Sequence, residues 1–291
     1  MKYRFFVLAA ALLFSTGGAA IKATTLTSWQ VASLRSLVAA IVLFALLPES
    51  RRIGSRRVWL ASIAYAATLV LFVLANKLTT AANAIFLQAT APFYLLAIGP
   101  IVLKEPNRPR DYLIGAIMAV GMTLFLFDGS SASALAPNPA LGNLLAGATG
   151  LTWALTVTAL RGISRDHGEN SICVVSAGNV VAFASTLPFA LPVQSLDAVN
   201  LSVLAYLGVF QIGLAYYLMT RGVAHVPAFE TSVLILLEPA MNPVWTYIFH
   251  NEMPGMLALA GGAIILGSTL LFAVSGQPTE APPGTPESLP D

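Results

Sequence analysis

Ten long apolar stretches run through this chain of 291 residues, each about as long as a helix that crosses a membrane. Such a helix needs about 20 mostly apolar residues to traverse about 30 Å of hydrocarbon. Charged residues make up only 10% of the chain, against roughly 25% in soluble domains. Most of the surface therefore cannot face water, which indicates an integral membrane protein. The stretches cover approximately residues 4–21, 29–47, 58–75, 81–103, 111–127, 141–160, 171–190, 201–219, 227–248 and 255–274.

The spanning elements are predicted to be helices. Only helices and closed barrels satisfy their backbone polar groups in lipid, and these stretches are too long and too uniformly apolar for barrel strands. The first stretch follows Lys2 and Arg4 and also resembles a signal peptide. Because its apolar run continues to Ile21, we expect it to be the first span of an all-α membrane protein.

The basic residues predict the orientation. If the N-terminus is cytoplasmic, twelve of the 15 basic residues fall on the cytoplasmic side, Lys22 and Lys77 fall outside, and Arg35 lies within a span. Cytoplasmic loops carry the excess of Lys and Arg. We therefore expect a multi-pass protein of the cytoplasmic (inner) membrane with both termini in the cytoplasm, an extracytoplasmic linker at 128–140, and a proline-rich, disordered cytoplasmic tail at 275–291.

Two halves of the chain repeat each other at an offset of 147 residues. Pro92 matches Pro239, and each proline is expected to interrupt the fourth span of its half. Glu105 matches Glu252, and a Gly-Ala-Ile triplet follows in each half, at 115–117 and 262–264. Each half holds five stretches, an odd number, so the second half enters the membrane from the opposite side. The sequence therefore predicts two inverted five-helix repeats, at 1–127 and 141–274. In transporters, such a repeat allows alternating access, because the two halves can exchange conformations and open the site to the other side.

Three ionisable residues, Arg35, Glu230 and Glu238, lie inside predicted spans, where a charge costs about 2.5–3.5 kcal/mol at the centre. Glu238 follows Pro227 by eleven residues, which places it near the midplane, and the next residue, Pro239, breaks the backbone ladder. Glu238 is either a proton-carrying coupling group or a structural acid paired with Arg35 or a backbone donor. Arg35 is a clamp for a substrate carboxylate, a partner of Glu238, or a residue that reaches the headgroups.

Each of the other polar residues has a structural interpretation as well as a functional one. Glu230 begins the ninth stretch, where it could stabilise the helix N-terminus or, with Asn83 at the matching position, line the mouths of one pathway. Glu105 and Glu252 end their spans and are expected to accept bonds from neighbouring helix ends. Mid-span amides either line the pathway or bond another helix, and two aromatic side chains could wall a cavity. These amides are Gln88, Asn179 and Gln211, and the aromatic residues are Trp153 and Tyr94.

Metal, cofactor and nucleic-acid functions find no support in the sequence. The chain has one cysteine and three scattered histidines without H-x-x-x-H spacing, so we expect no metal. Its net charge of +2 gives no basic field for nucleic acid. No nucleotide-binding G-x-x-x-x-G-K-[ST] is present, so any active transport would draw on an ion or substrate gradient. The expected partners are a small-molecule substrate and the lipid bilayer.

The arrangement resembles the EamA-like family of the drug/metabolite transporter superfamily. The resemblance covers about residues 4–274 and rests on Ala91-Pro92 with Glu105, Leu237-Glu238-Pro239 with Glu252, and the segment 14–18, Phe-Ser-Thr-Gly-Gly. It implies ten helices around a central cavity, with the fifth and tenth at one end. It also implies a secondary transporter, since many members export amino acids or other small metabolites. Ala91 stands where the second half has Glu238, so the acid–proline pair occurs once.

Together these features predict an exporter of a small polar metabolite, such as an amino acid, that works by alternating access and is coupled to protons. Export of drugs or other organic compounds is the alternative within the same class. A membrane-embedded enzyme is a weaker alternative, because the cytoplasmic acids show no motif spacing, and a channel would need a polar ring that is not evident. One chain holds both halves, so one chain suffices for transport and a homodimer is compatible with the sequence.

Overall fold

The computed structural model describes residues 2–126, 137–165, 170–193, 196–250 and 256–275. Within these ranges the chain is helical and contains no strand. Most of the predicted linker and nearly all of the predicted tail lie outside the described residues. The α-helices are α1 Lys2–Ser15, α2 Gly17–Lys22, α3 Ser28–Leu46, α4 Arg56–Leu78, α5 Ala81–Gln88, α6 Ala91–Ile98, α7 Pro109–Leu126, α8 Pro139–Arg165, α9 Ile172–Ala190, α10 Ala198–Tyr206, α11 Ala215–Val223, α12 Ala228–Ile235, α13 Leu237–His250 and α14 Met256–Ser275.

Seven helical segments in the described part of the chain are long and apolar enough to cross a membrane. Three of them join consecutive elements, such as α1 with α2, and α5 with α6 and the π-helical segment Gly99–Leu103 that follows. The other three predicted stretches are helical as well, as α7, the pair α12 and α13, and α14. The protein is therefore an all-helical, multi-pass membrane protein, and the arrangement of ten spans remains a prediction.

Local sequence signals set several helix ends. Thr27 caps α3 in a capping box with Gln30, and the Thr80 side chain accepts a hydrogen bond from the Asn83 N–H at the start of α5. Asp197 caps α10 in the same way. These side chains satisfy backbone N–H groups that have no partner within the helix, which matters most where water is scarce.

The fourth and ninth stretches are broken at matching positions. Helix α5 covers residues 81–88 and α12 covers residues 228–235, so both ends of the two helices are 147 residues apart. Each is followed by a helix that begins with a proline in its first turn, Pro92 in α6 and Pro239 in α13. Proline lacks the N–H that continues the hydrogen-bond ladder, which accounts for both interruptions.

The helices pack into one bundle. Helix α4 contacts α8 and α9, α3 contacts α9, and α7 contacts α14. Helix α1 packs against α11, α12 and α13, and its Val7, Ala10 and Ala11 are fully buried. The first apolar stretch is thus an integral part of the bundle. Small residues allow close approach: a Cβ at Gly178 would meet the ring of Tyr65.

Candidate functional site

A small cavity of about 30 Å³ lies inside the bundle beside the breaks in the fourth and ninth stretches. A second hollow of about 10 Å³ adjoins it, shares Gln88, Trp153 and Glu238 with it, and is also lined by Pro92 and Pro239. Both helix-breaking prolines therefore lie at the site. The larger cavity is lined by Phe14, Arg35, Thr68, Leu69, Phe72, Gln88, Trp153, Gln211, Tyr216 and Glu238.

Glu238 carries the only carboxyl group among these lining residues. It lies in the first turn of α13, directly after the break, and is 4% exposed. It has no hydrogen bond or ion pair with any residue that the structure describes. A helix N-terminus stabilises a negative charge, and this position offers that support without a fixed cationic partner. The carboxyl group is thus available to a proton or a ligand.

Arg35 lies on α3 at another wall and is 1% exposed. Its Nη2 donates to the Leu69 carbonyl oxygen at 2.9 Å, and its Nη1 donates to Gln211 Oε1 at 3.4 Å. Its Nε is buried and has no hydrogen-bond partner. Gln211 belongs to the π-helical segment Leu207–Leu214, a local widening that often accompanies functional sites. The guanidinium group is therefore held in place while one donor stays unused.

No ion pair joins Arg35 to Glu238, although both line the same cavity and both belong to the described part of the chain. The predicted alternative that Arg35 neutralises Glu238 by direct contact is wrong for this conformation, and so is the alternative that Arg35 faces lipid. Burying an isolated charge is costly unless a partner compensates it. A ligand or water molecules between the two groups could supply that compensation.

Aromatic side chains form one side of the site. Tyr216 lies at the centre of this aromatic cluster, with ring centroids 4.8 Å from Phe14, 4.7 Å from Tyr65 and 6.2 Å from Trp153. The Tyr65 hydroxyl accepts a hydrogen bond of 2.9 Å from Asn179. Trp153 therefore lies at the cavity, as the sequence suggested, whereas Asn179 serves the packing of two helices. Tyr94 is 38% exposed and lines neither of the two hollows.

The other predicted site residues lie away from the cavity. Glu230 is buried in the first turn of α12 and forms an ion pair with Arg4 of α1. Asn83 donates to Thr79 Oγ1 at 3.4 Å. Neither lines the two hollows. We call the end of the bundle that carries Arg4, Glu105, Arg161 and Arg221 the basic end.

Glu105 joins three elements at the basic end. Its carboxylate accepts hydrogen bonds from Arg161 Nε of α8 at 2.8 Å and from the Ala228 N–H that begins α12 at 3.0 Å. Arg161 also donates to the carbonyl oxygens of Val223 and Ala224 at the end of α11. These bonds satisfy helix-end groups. Its counterpart Glu252 lies outside the described residues.

Sequence reasoning missed part of the site. Thr68, Leu69 and Phe72 have no chemical signature within an apolar stretch, so no local pattern singles them out, and Phe14 was noted only as part of the segment 14–18. Tyr216 did carry a signal, because a buried tyrosine usually needs a hydrogen-bond partner and this one lies in the interior of a span. Among the residues described, no group of three or more His, Cys, Asp or Glu side chains could hold a metal ion.

Comparison with known proteins agrees with this architecture. An uncharacterized transporter of Methanothermobacter thermautotrophicus is 21% identical over 204 residues, which are 68% of this chain and 58% of that protein. The match thus spans less than two thirds of the relative's own length. A solved crystal structure of a protein superposes with a TM-score of 0.73 over 94% of this chain and 97% of its own, at 19% identity, which shows a shared fold.

The most extensive match is to a family profile. The profile described as the EamA-like transporter family matches residues 1–127 and 140–274, nearly the whole helical part of the chain. The all-helical bundle, the two proline-broken helices and the buried carboxyl group at their junction fit that match. This protein belongs to the EamA-like transporter family.

Proposed function

We propose that this protein is a secondary transporter that exports a small polar metabolite, such as an amino acid, by alternating access coupled to protons. One observation carries the proposal. A guanidinium group, that of Arg35, and a carboxyl group, that of Glu238, line one buried cavity without an ion pair between them. They lie beside helices broken at matching positions in the two halves of the chain.

The charges suit a ligand that itself carries both signs. An arginine side chain matches the geometry of a carboxylate, and a carboxylate such as that of Glu238 binds an ammonium group. Gln88 adds an amide oxygen that is buried and has no hydrogen-bond partner. An amino acid presents a carboxylate and an ammonium group on one carbon atom, so it complements this pair at small size.

The matched helix breaks suit alternating access. Discontinuous helices near the bilayer midplane form the substrate sites of many transporters built from inverted repeats. Here the breaks come after Gln88 and after Ile235, and the side chains beside them line the same hollow. Exchange of conformation between the two halves would open this hollow first to one side and then to the other.

A proton is the proposed coupling ion, and Glu238 is its proposed carrier. A carboxyl group without a fixed cationic partner can exchange a proton during the cycle, and one charge crossing the membrane potential gains about 2.3 kcal/mol per 100 mV. In this proposal the protein lies in the inner membrane, its basic end faces the cytoplasm, and the substrate leaves the cell.

Export of organic cations is the second candidate. It is favoured by the aromatic cluster, because Phe14, Trp153 and Tyr216 line the cavity together with Glu238. Aromatic faces attract cations, and such a ligand would need the carboxylate but not the guanidinium group. A requirement for Arg35 therefore separates the two candidates.

The test is transport in proteoliposomes with a panel of radiolabelled amino acids and with tetraethylammonium as an organic cation. Glu238→Gln should reduce flux driven by a pH gradient to the level of empty liposomes, because the amide cannot carry a proton. Glu49→Gln is the matched control, since Glu49 lies at the basic end beside Arg221 and outside the cavity; its flux should equal that of the parent protein.

The outcome assigns the substrate class. Amino acid flux that also requires Arg35 supports the first candidate, whereas tetraethylammonium flux that survives Arg35→Gln supports the second. Flux that keeps its full pH dependence in the Glu238→Gln protein would refute the coupling role.

A further inference from the structure

The ion pair between Arg4 and Glu230 lies between two elements that would separate if the cavity opened at the basic end. Arg4 is in the first turn of α1 and Glu230 in the first turn of α12. Their side chains are 13% and 5% exposed. Helices α1 and α12 also pack directly against each other. The pair therefore joins α1 to α12 in a poorly solvated place, where charge attraction is stronger than in water.

The pair and the cavity lie along the same two stretches of the chain, the first and the ninth. Phe14 lines the cavity ten residues after Arg4 on α1, and Glu238 lines it eight residues after Glu230. At 1.5 Å per residue the ion pair lies about 12–15 Å from the cavity towards the basic end. Parting α1 from α12 at this end would clear a route from the cavity, and it would separate Arg4 from Glu230.

Helix α12 is well suited to transmit such a change. It has eight residues and ends at Ile235, directly before the break that precedes Glu238. A movement of its first turn can therefore rotate α12 about the break without unfolding α13. The first turn is also held by Glu105, which bonds the Ala228 N–H and Arg161 of α8. The start of α12 is thus fastened to both α1 and α8.

At the opposite end, the two residues at the matching positions form no ion pair with each other. At an offset of 147 residues, Glu230 corresponds to Asn83 and Arg4 corresponds to Leu151, which is 41% exposed. Asn83 makes a hydrogen bond of 3.4 Å to Thr79, and Thr79 donates to Asn143 at 2.8 Å. Among the described residues, the start of α12 is therefore held by an ion pair, whereas the matching contacts near the start of α5 are hydrogen bonds of Asn83, Thr79 and Asn143, with Lys22 Nζ donating to the Thr79 carbonyl oxygen at 3.1 Å.

We propose that the Arg4–Glu230 pair is a latch that closes the substrate cavity towards the basic end and biases the resting protein away from opening there. The proposal rests on the proposed transport function. The latch must break each time the cavity opens to the basic end, so its strength sets how much of the protein is open at that end.

The experiment measures access to the cavity and needs no substrate. Cys173→Ala removes the single native cysteine, and Ser232→Cys places a thiol of similar size in the hollow beside Glu238. A membrane-impermeant maleimide is then applied from each side, to cells and to inside-out vesicles. The parent for comparison is this single-cysteine protein.

Neutralising the latch should increase access from the basic end. In Arg4→Gln/Glu230→Gln we expect labelling from that end to be at least about fivefold faster, the lower range of coupling between sites. The exchanged pair Arg4→Glu/Glu230→Arg should restore the parental rate, since it keeps the attraction. Arg221→Gln/Glu49→Gln is the control, because this pair is at the same end but is more exposed and does not involve α1 or α12.

Each outcome decides the proposal. Unchanged labelling in a well-folded neutral variant, or fast labelling in a well-folded exchanged variant, would overturn the latch. If the neutral variant does not fold, the exchanged variant still decides, because a latch requires it to label at the parental rate. If the protein transports no amino acid but is labelled faster without the ion pair, the latch is supported and the proposed substrate is refuted. If the protein exports amino acids with protons but its labelling rate does not depend on the ion pair, only the latch is refuted.

Discussion

Gly150 is the position where a single methyl group should reveal how tightly α8 packs on the break in the fourth stretch. A Cβ at Gly150 would lie 2.9 Å from the Leu87 carbonyl oxygen and 3.4 Å from the Gln88 carbonyl oxygen, and it would also contact Thr90 Oγ1. The Thr90 hydroxyl cannot simply turn away, because it donates to the Leu87 carbonyl oxygen at 2.7 Å. Gly150→Ala therefore has to move the backbone of the break.

The cost follows from these contacts. Overpacking of this kind destabilises by about 1–3 kcal/mol, and loss of the Thr90 hydrogen bond adds about 1 kcal/mol. Alanine regains about 1 kcal/mol of helix propensity over glycine. We therefore expect Gly150→Ala to lower the free energy of unfolding by about 1–3 kcal/mol.

Gly147→Ala is the matched control, because Gly147 lies on the same helix and a Cβ there meets nothing within 4 Å. It should keep the gain in helix propensity without the clash, so the two variants should differ by about 2–4 kcal/mol. At about 2–4 °C per kcal/mol this is a difference of about 5–15 °C in Tm, measured by thermal unfolding of the purified protein in detergent. Equal Tm values for the two variants would refute the proposed close contact.

Two further predictions concern buried polar contacts. Arg161→Gln should lower the free energy of unfolding by about 2 kcal/mol, because Glu105, whose side chain is 18% exposed, loses its 2.8 Å partner and keeps Arg165 at 3.5 Å and the Ala228 N–H. Arg161→Lys should recover only part of this, since lysine lacks the planar fork. A Tm for Arg161→Gln equal to that of the parent would contradict the prediction. Tyr65→Phe should cost only about 0.6 kcal/mol, the average for such bonds in membranes, because Asn179 keeps its 2.8 Å bond to the Val175 carbonyl oxygen. A loss as large as that of Arg161→Gln would show that the hydroxyl does more than pack two helices.

Much of the fold was predictable because its signals are local. Hydropathy over about 20 residues indicates a membrane-crossing helix, and each predicted stretch is helical in the described part of the chain. Pro92 and Pro239 predicted the helix breaks, since a proline lacks a backbone N–H and so removes a hydrogen bond within its own helix. The depth of Glu238 near the midplane stays a prediction from counting residues along one stretch.

The partners of the charged residues were not predictable in the same way. Arg35, Glu230 and Glu238 were all identified as buried ionisable groups, yet Glu230 pairs with Arg4 and Arg35 bonds Gln211 and Leu69. A partner depends on how each helix rotates about its axis and which neighbour it faces. Both follow from packing between residues that are far apart in the chain.

The amino-acid sequence by itself determined which segments are helical, where two of them break, and which ionisable residues lie within them. Those properties depend on apolar length and on single backbone groups. Only the tertiary structure decided that Tyr216 and Phe14 border the cavity, that Arg35 and Glu238 share it without an ion pair, and that Arg4 and Glu230 join two helices at the basic end. Contacts between helices arise from close packing of surfaces without a large hydrophobic driving force between them, and no pattern along one segment encodes them.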